Sequence, residues 1–334
     1  MMKKIIVGLI LFIAISNKSV VAQTTAELQA TAKTFMRQGD YANAVLILNR
    51  CLEKEPTNTS IGKDLALSYF YVQNNEKALE IIKPVLESKD ADDQCFLIAG
   101  NIYKQLNKPK ESEKIFKKGI KIFPESGPLY NELGEVQMVT KGKDAIKNWE
   151  KGIQQDPSYS KNYYNAARFY NFNKENVWSI LYGEIFANME PNSNYTLQIK
   201  QVLLDSYKRL FTETNLEKNN KLKNAFVKQY LETMNKQSVQ VEEGINAESL
   251  SMIRSRFIID WFAIANKPAF KLFEQHQLLL KEGLFESYNQ WLFGAADNAN
   301  NYQNWVKTHS AENGAFIKFQ KTRIFKIPLG QYYQ

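Results

Sequence analysis

The chain has 334 residues, 44% hydrophobic and 13% aromatic, which is too apolar for a disordered segment and long enough for about two domains. Two cysteines and two histidines exclude a disulfide framework and leave little material for a zinc site. The net charge of +8 is dispersed: three lysines and no acid in residues 1–22, equal numbers of both signs over 23–192, and the rest over 193–334, so no continuous basic face for nucleic acid is expected.

Residues 1–22 read as a signal peptide. Lys3 and Lys4 give a positive start, the eleven residues Ile5–Ile15 an apolar run, and Val20-Val21-Ala22 a small-residue cleavage site. Eleven helical residues rise about 16 Å, roughly half the hydrocarbon thickness of a bilayer. The expectation is therefore export, to the periplasm or outside the cell, with no stable membrane anchor after cleavage and an uncleaved anchor as the alternative.

From 23 to 192 the chain repeats. Pro56, Pro124, Pro157 and Pro191 close successive segments at spacings of 68, 33 and 34, and proline marks where a helix stops. Small residues recur at Ala32, Ala66, Gly100, Gly134 and Ala167, with a ring three residues later at Phe35, Tyr69, Tyr103 and Tyr170. A second small-residue series runs through Ala44, Ala78, Ser112, Ala145 and Ser179. A small residue lets two helices approach, and the two series fall where the arms of a helical hairpin would cross.

This pattern resembles the tetratricopeptide repeat family, most specifically in Gly39-Asp40-Tyr41 followed by Ala44, in Ala99-Gly100 followed by Tyr103, and in Leu133-Gly134. Five units fit, at about 25–58, 59–92, 93–126, 127–158 and 159–192. The resemblance implies an all-α fold in which helical hairpins stack into a right-handed superhelix, followed here by a helical C-terminal region. Trp178 opens an aberrant second helix in the fifth unit. Cys51 and Cys95 fall in units separated by another and are expected to be free, buried thiols.

Beyond 193 the period is lost and no family is recognised. Leu197, Val202, Tyr207 and Phe211 mark the apolar side of a capping helix, and 193–247 holds a further helix and a linker at 235–247. The region 248–334 opens on the amphipathic stripe Leu250, Ile253, Phe257, Trp261 and Ile264. Helices are expected at about 268–282, 284–294 and 298–309, with 315–334 unassigned and its end read as an extended tail.

Catalytic motifs are missing from the sequence: no GxSxG, phosphate loop, HExxH or dinucleotide glycine pattern. His276 and His309 read as surface histidines, so the protein is expected to be no enzyme and to need no cofactor or metal. In the fold implied by the resemblance, first helices line a concave groove. Counting around them exposes Lys33, Met36 and Arg37, then Lys63, Phe70 and Tyr71, then Asn101 and Lys104, then Asn131, Glu135 and Met138, then Tyr164, Arg168 and Phe172. Rings, amides and cations suit an extended peptide. Chaperone-binding members of the family clamp a carboxylate with a lysine and an asparagine; Lys63 stands at the lysine place, but Leu67 replaces the asparagine. The expected role is a protein-interaction adaptor of the cell envelope binding a protein or peptide partner. The alternative is a glycan-binding protein using Trp261, Trp291 and Trp305.

Overall fold

The computed structural model describes residues 23–212, 224–237 and 244–334. The signal segment and residues 238–243 of the expected linker lie outside them. Among the described residues the fold is all-α, with no strand. The chain divides into two compact units, one ending at Val85 and one beginning at Leu86.

The first unit holds α1 (Thr25–Arg37), α2 (Tyr41–Lys54), α3 (Thr59–Tyr71) and α4 (Asn75–Val85), paired as two hairpins. Helix α1 starts at a capping box: the Thr24 hydroxyl accepts from Glu27 N–H, and the Glu27 carboxylate accepts from Thr24 N–H. Ala32, Ala44, Leu48, Cys51, Ile61 and Leu65 form the core, so the small-residue beat does mark the helix crossings. Each hairpin turns through a left-handed residue, Gly39 and Gln73.

The second unit continues with α5 (Asp93–Gln105), α6 (Pro109–Ile122), α7 (Gly127–Lys141), α8 (Ala145–Gln155), α9 (Ser160–Phe172) and α10 (Asn176–Met189), three more hairpins. The two small-residue series meet in α5–α6 and α9–α10. Ser112 Oγ donates to the Gly100 carbonyl (2.9 Å) and Ser179 Oγ to the Ala167 carbonyl (3.1 Å), both spanning twelve residues. Helix α10 is buried on every side from Asn176 to Ala187, which explains the near-continuous apolar run after Trp178: a helix covered all round has no polar face to write.

Helix α10 is covered by α9, its hairpin partner, and by the rest of the chain. Helices α11 (Thr196–Thr212), α12 (Ala225–Asn235), α13 (Ala247–Ala263), α14 (Lys271–Lys281) and α15 (Phe285–Asn289) are followed by a π turn (Gln290–Gly294), α16 (Ala295–Asp297), α17 (Ala299–Thr308) and α18 (Ser310–Thr322). One hydrophobic core runs from Ala145 in α8 to Ile327 beyond α18. One expectation needs correction. Leu197 is 66% exposed; Ile199, Leu203, Leu204, Tyr207 and Leu210 make the buried side of α11, because the helix meets both α9 and α10. In the unassigned stretch 315–334, α18 runs on to Thr322 before the chain leaves the helix.

Candidate interaction site

Within the second unit, the first helices of the last two hairpins and α11 enclose a cavity of about 510 Å³. Helix α7 contributes Glu135, Met138 and Val139; α9 contributes Asn165, Arg168, Phe169, Asn171 and Phe172; Trp149 and Val202 close it from α8 and α11. Val139 and Phe172 are 88% and 80% exposed and Met138 is exposed beside them. Three large apolar side chains held in water at the edge of one concavity are an uncompensated cost unless something covers them. Phe169 packs edge-on against Trp149 at 6.1 Å, and the Arg168 guanidinium lies 5.2 Å from the Tyr164 ring centre.

A polar ladder runs beside the cavity. Lys104 on α5 reaches Glu132 (2.7 Å) and Glu135 (2.9 Å) on α7. Burial pushes its ammonium pKa down, but the two carboxylates outweigh that and hold it above the ordinary value. Asn131 Nδ2 donates to both glutamates at 3.3 Å, and Asn165 Nδ2 on α9 donates to Asn131 Oδ1 at 2.8 Å. Such side-chain bonds between successive first helices fix the spacing of the surface they carry.

The structure separates the residues expected to face a ligand. Arg168 and Phe172 line the cavity together with Glu135 and Met138. Asn131 and Tyr164 do not belong to an open surface: Asn131 is fully buried as the centre of the ladder, and Tyr164 is buried with its hydroxyl on Gln198 and its ring against Phe186 and Tyr195. A helix count alone puts both outward because it sees one neighbouring helix, whereas α5 and α9 flank α7, and α7 and α11 flank α9. Lys104 is half-buried in its ion pairs, and Asn101 is half-buried. In the first unit Lys33 is exposed, 3.5 Å from Asp64; Arg37 is exposed, bonded to the Thr34 hydroxyl; Lys63 and Phe70 are half-buried; Tyr71 is exposed and stacks on Tyr41 at 4.3 Å. Sequence reasoning missed Trp149 and Val202, whose helices lie outside the first-helix series, and Asn165, Phe169, Asn171 and Val139, which share helices with the residues it found.

His276 overturns its surface reading. It is 3% exposed, and its Nε2 lies 2.7 Å from Glu184 Oε1 and 3.2 Å from Arg254 Nη2. Arg254 forms an ion pair with Glu184 and donates to Asn289. Tyr288 O–H donates to Glu184 (2.7 Å), Asn188 Nδ2 to Tyr288 (2.7 Å), and Gln275 Nε2 to Asn188. Burial pushes the Glu184 carboxyl up, yet Arg254 and His276, with the hydrogen bonds of His276 and Tyr288, bring it down to about 2. Burial lowers His276, opposed by Glu184 and aided by Arg254. All of these charged groups are sealed in the core, where this constellation ties α10 to α13–α15. His309 is half-buried with its ring stacked on Trp305.

The tryptophan faces are also taken. Trp261 is buried among Phe226, Phe257 and Phe273, and Trp291 has the Lys200 ammonium 3.9 Å over its ring. Lys200 Nζ also donates to the Trp291 carbonyl inside the π turn, and burial lowers its pKa to about 8. Cys51 and Cys95 are buried and form no disulfide, as expected. Among the described residues there is no cluster of histidine, cysteine and carboxylate side chains able to hold a metal ion, and no helix long and apolar enough to cross a membrane.

Repeating helical hairpins, stapled first helix to first helix and flanking an open cavity, define an α-helical repeat protein. The family model of the tetratricopeptide repeat matches residues 94–126, the segment of α5 and α6. The hairpin of α5 and α6 is thus similar to the tetratricopeptide repeat. Among curated proteins the chain is similar to "Protein STIP1 homolog" of Dictyostelium discoideum, 27% identical over 36% of this chain and 22% of that protein. It is also similar to human aspartyl/asparaginyl beta-hydroxylase, 29% identical over 34% of this chain and 15% of that protein. The chain thus spans less than a quarter of either relative. Among solved structures, pilF of Pseudomonas aeruginosa aligns over 55% of this chain and 83% of its own at 16% identity and TM-score 0.49. TTC0263 of Thermus thermophilus aligns over 54% of this chain and 100% of its own at 13% identity and TM-score 0.46.

Proposed function

We propose that this protein is a non-enzymatic interaction adaptor of the cell envelope that holds an extended peptide or protein segment in the cavity between α7, α9 and α11. The observation that carries this reading is the grouping of exposed Met138, Val139 and Phe172 with Arg168 and the amides of Asn165 and Asn171 around one concavity. Apolar side chains of a partner would cover the first three. A partner carboxylate would meet the Arg168 guanidinium, which presents a planar fork of donors. Tetratricopeptide repeats are protein-interaction modules, which supports the class of partner. The lysine-led apolar run of Ile5–Ile15 supports an envelope location.

The test is capture. Full-length protein carrying Arg168→Glu and Phe172→Ser, both at exposed positions, should keep its helical content and melting temperature yet lose the proteins that the wild type retains from a cell-envelope extract. Equal retention by the double variant would rule this cavity out as the binding surface.

A further inference from the structure

Beyond α18 the extended chain buries Phe325 and Ile327 and then turns at Pro328–Gln331, where Gln331 N–H donates to the Pro328 carbonyl and Gly330 takes φ of 85°. Leu329 at this turn is exposed. The four residues after Gly330 have no helix or strand to hold them, yet each is gripped by a separate group. Gln331 Oε1 accepts from Lys271 N–H at 2.7 Å, the first amide of α14. The Tyr332 hydroxyl bonds the Glu150 carboxyl on α8. The Tyr333 ring lies parallel to Phe226 with centres 4.6 Å apart and meets Phe270 edge-on, its hydroxyl donates to the Ala269 carbonyl, and its own carbonyl accepts from Asn224 Nδ2. Gln334 Nε2 donates to the Tyr170 hydroxyl at 3.0 Å, and Tyr170 in turn donates to Glu150.

A stacking face, an acidic acceptor, a free backbone donor and a backbone acceptor set out along one line are the parts that read an extended peptide. The geometry points to this seat, made by α8, α9, α12 and the start of α14, as a recognition site for an amide–aromatic–aromatic–amide segment, filled at rest by the chain's own Gln331–Gln334. Its occupant in trans is a partner segment of the same chemistry, admitted when the strap swings out about Leu329–Gly330. Two features support exchange over a merely structural tail. The buried anchors Phe325 and Ile327 precede the turn, so the chain up to Ile327 stays held when the strap leaves and only the faces of Phe226 and Phe270 are uncovered. All its grips are side-chain or terminal-turn groups, which a second peptide can use equally. The tethered strap acts at an effective concentration on the order of millimolar, so a free peptide is excluded until the strap is weakened. This site is separate from the cavity of the proposed function and does not rest on that reading.

The experiment uses full-length protein and a fluorescent hexapeptide of sequence LGQYYQ, with LGQYAQ as control. Tyr333→Ala should bind LGQYYQ at least tenfold more tightly than the wild type in fluorescence anisotropy, and millimolar unlabelled LGQYYQ should raise the melting temperature of this variant while LGQYAQ does not. Tyr332→Phe, which removes only one hydroxyl, should show the same preference to a smaller degree and covers the case in which Tyr333→Ala fails to fold. Equal binding to wild type and variants, or no binding and no melting shift at millimolar peptide, would overturn the proposal.

Discussion

A side-chain carbon on Gly134 would stand 2.3 Å from Nε1 of Trp149. The same indole nitrogen donates to the Asn131 carbonyl one turn back, at 3.3 Å. The glycine in α7 is therefore the mould for the tryptophan in α8, and that tryptophan forms a wall of the cavity. Gly134→Ala should destabilise the protein by about 1–3 kcal/mol through overpacking. Gly314→Ala, in α18 with nothing within 4 Å, should instead stabilise by about 0.5–1 kcal/mol through helix propensity. Urea melts of the two variants check both signs.

Arg254 is the cation that lets Glu184 stay ionised in the core. Arg254→Met leaves that carboxylate buried without its partner and should cost on the order of 3–5 kcal/mol. Adding Glu184→Leu to the same chain should return most of the loss, because an apolar pair of similar volume no longer needs desolvating. Chemical denaturation of single and double variants measures the recovery; a double variant no more stable than Arg254→Met would mean the network is not what limits the core.

The hairpins were legible because their constraint is local and periodic. A helix crossing needs a small residue, and that need recurs each time the unit does, so Ala66, Gly100 and Gly134 announced the packing they make. Arg168, Phe172, Glu135 and Met138 followed from counting around those helices. Glu184, Arg254, His276 and Asn289 were not legible: each is an ordinary polar residue until α10, α13, α14 and α15 meet. Partners 70 and 92 residues away leave no spacing signal. Val202 in the cavity and the grips on Tyr333 were hidden for the same reason.

The buried network sets a pH dependence with a definite sign. His276 is held below its ordinary 6.5 and Glu184 is held down at about 2 against 4.5. In both windows the unfolded chain binds more protons than the fold, so stability falls as pH falls. For His276 the loss begins as pH drops through about 6.5; for Glu184 it begins near 4.5 and is complete only below about 2. The His276 contribution should lower urea midpoints from pH 8 to pH 5, with a slope of at most about 1.4 kcal/mol per pH unit from one histidine. His276→Gln should flatten the part between pH 7 and pH 5.5, and an unchanged slope in that variant would show that another group titrates there.

Glu150 works with the opposite sign. Burial raises its carboxyl above the ordinary 4.5, and the hydrogen bonds from Tyr170 and Tyr332 only partly offset this. The fold therefore favours the protonated form, and the unfolded chain releases that proton first. Between about 4.5 and the raised value, the fold binds more protons than the unfolded chain, so this group's contribution is present at low pH and lost as pH rises. Glu150→Gln keeps an oxygen that accepts from both tyrosines but carries no charge to desolvate. The variant should match the wild type near pH 4.5 and become progressively more stable than it toward pH 8, the reverse of the trend expected from His276. Paired urea melts at those two pH values separate the groups, and a variant that loses stability at pH 8 would mean that Glu150 is held there as a well-solvated carboxylate.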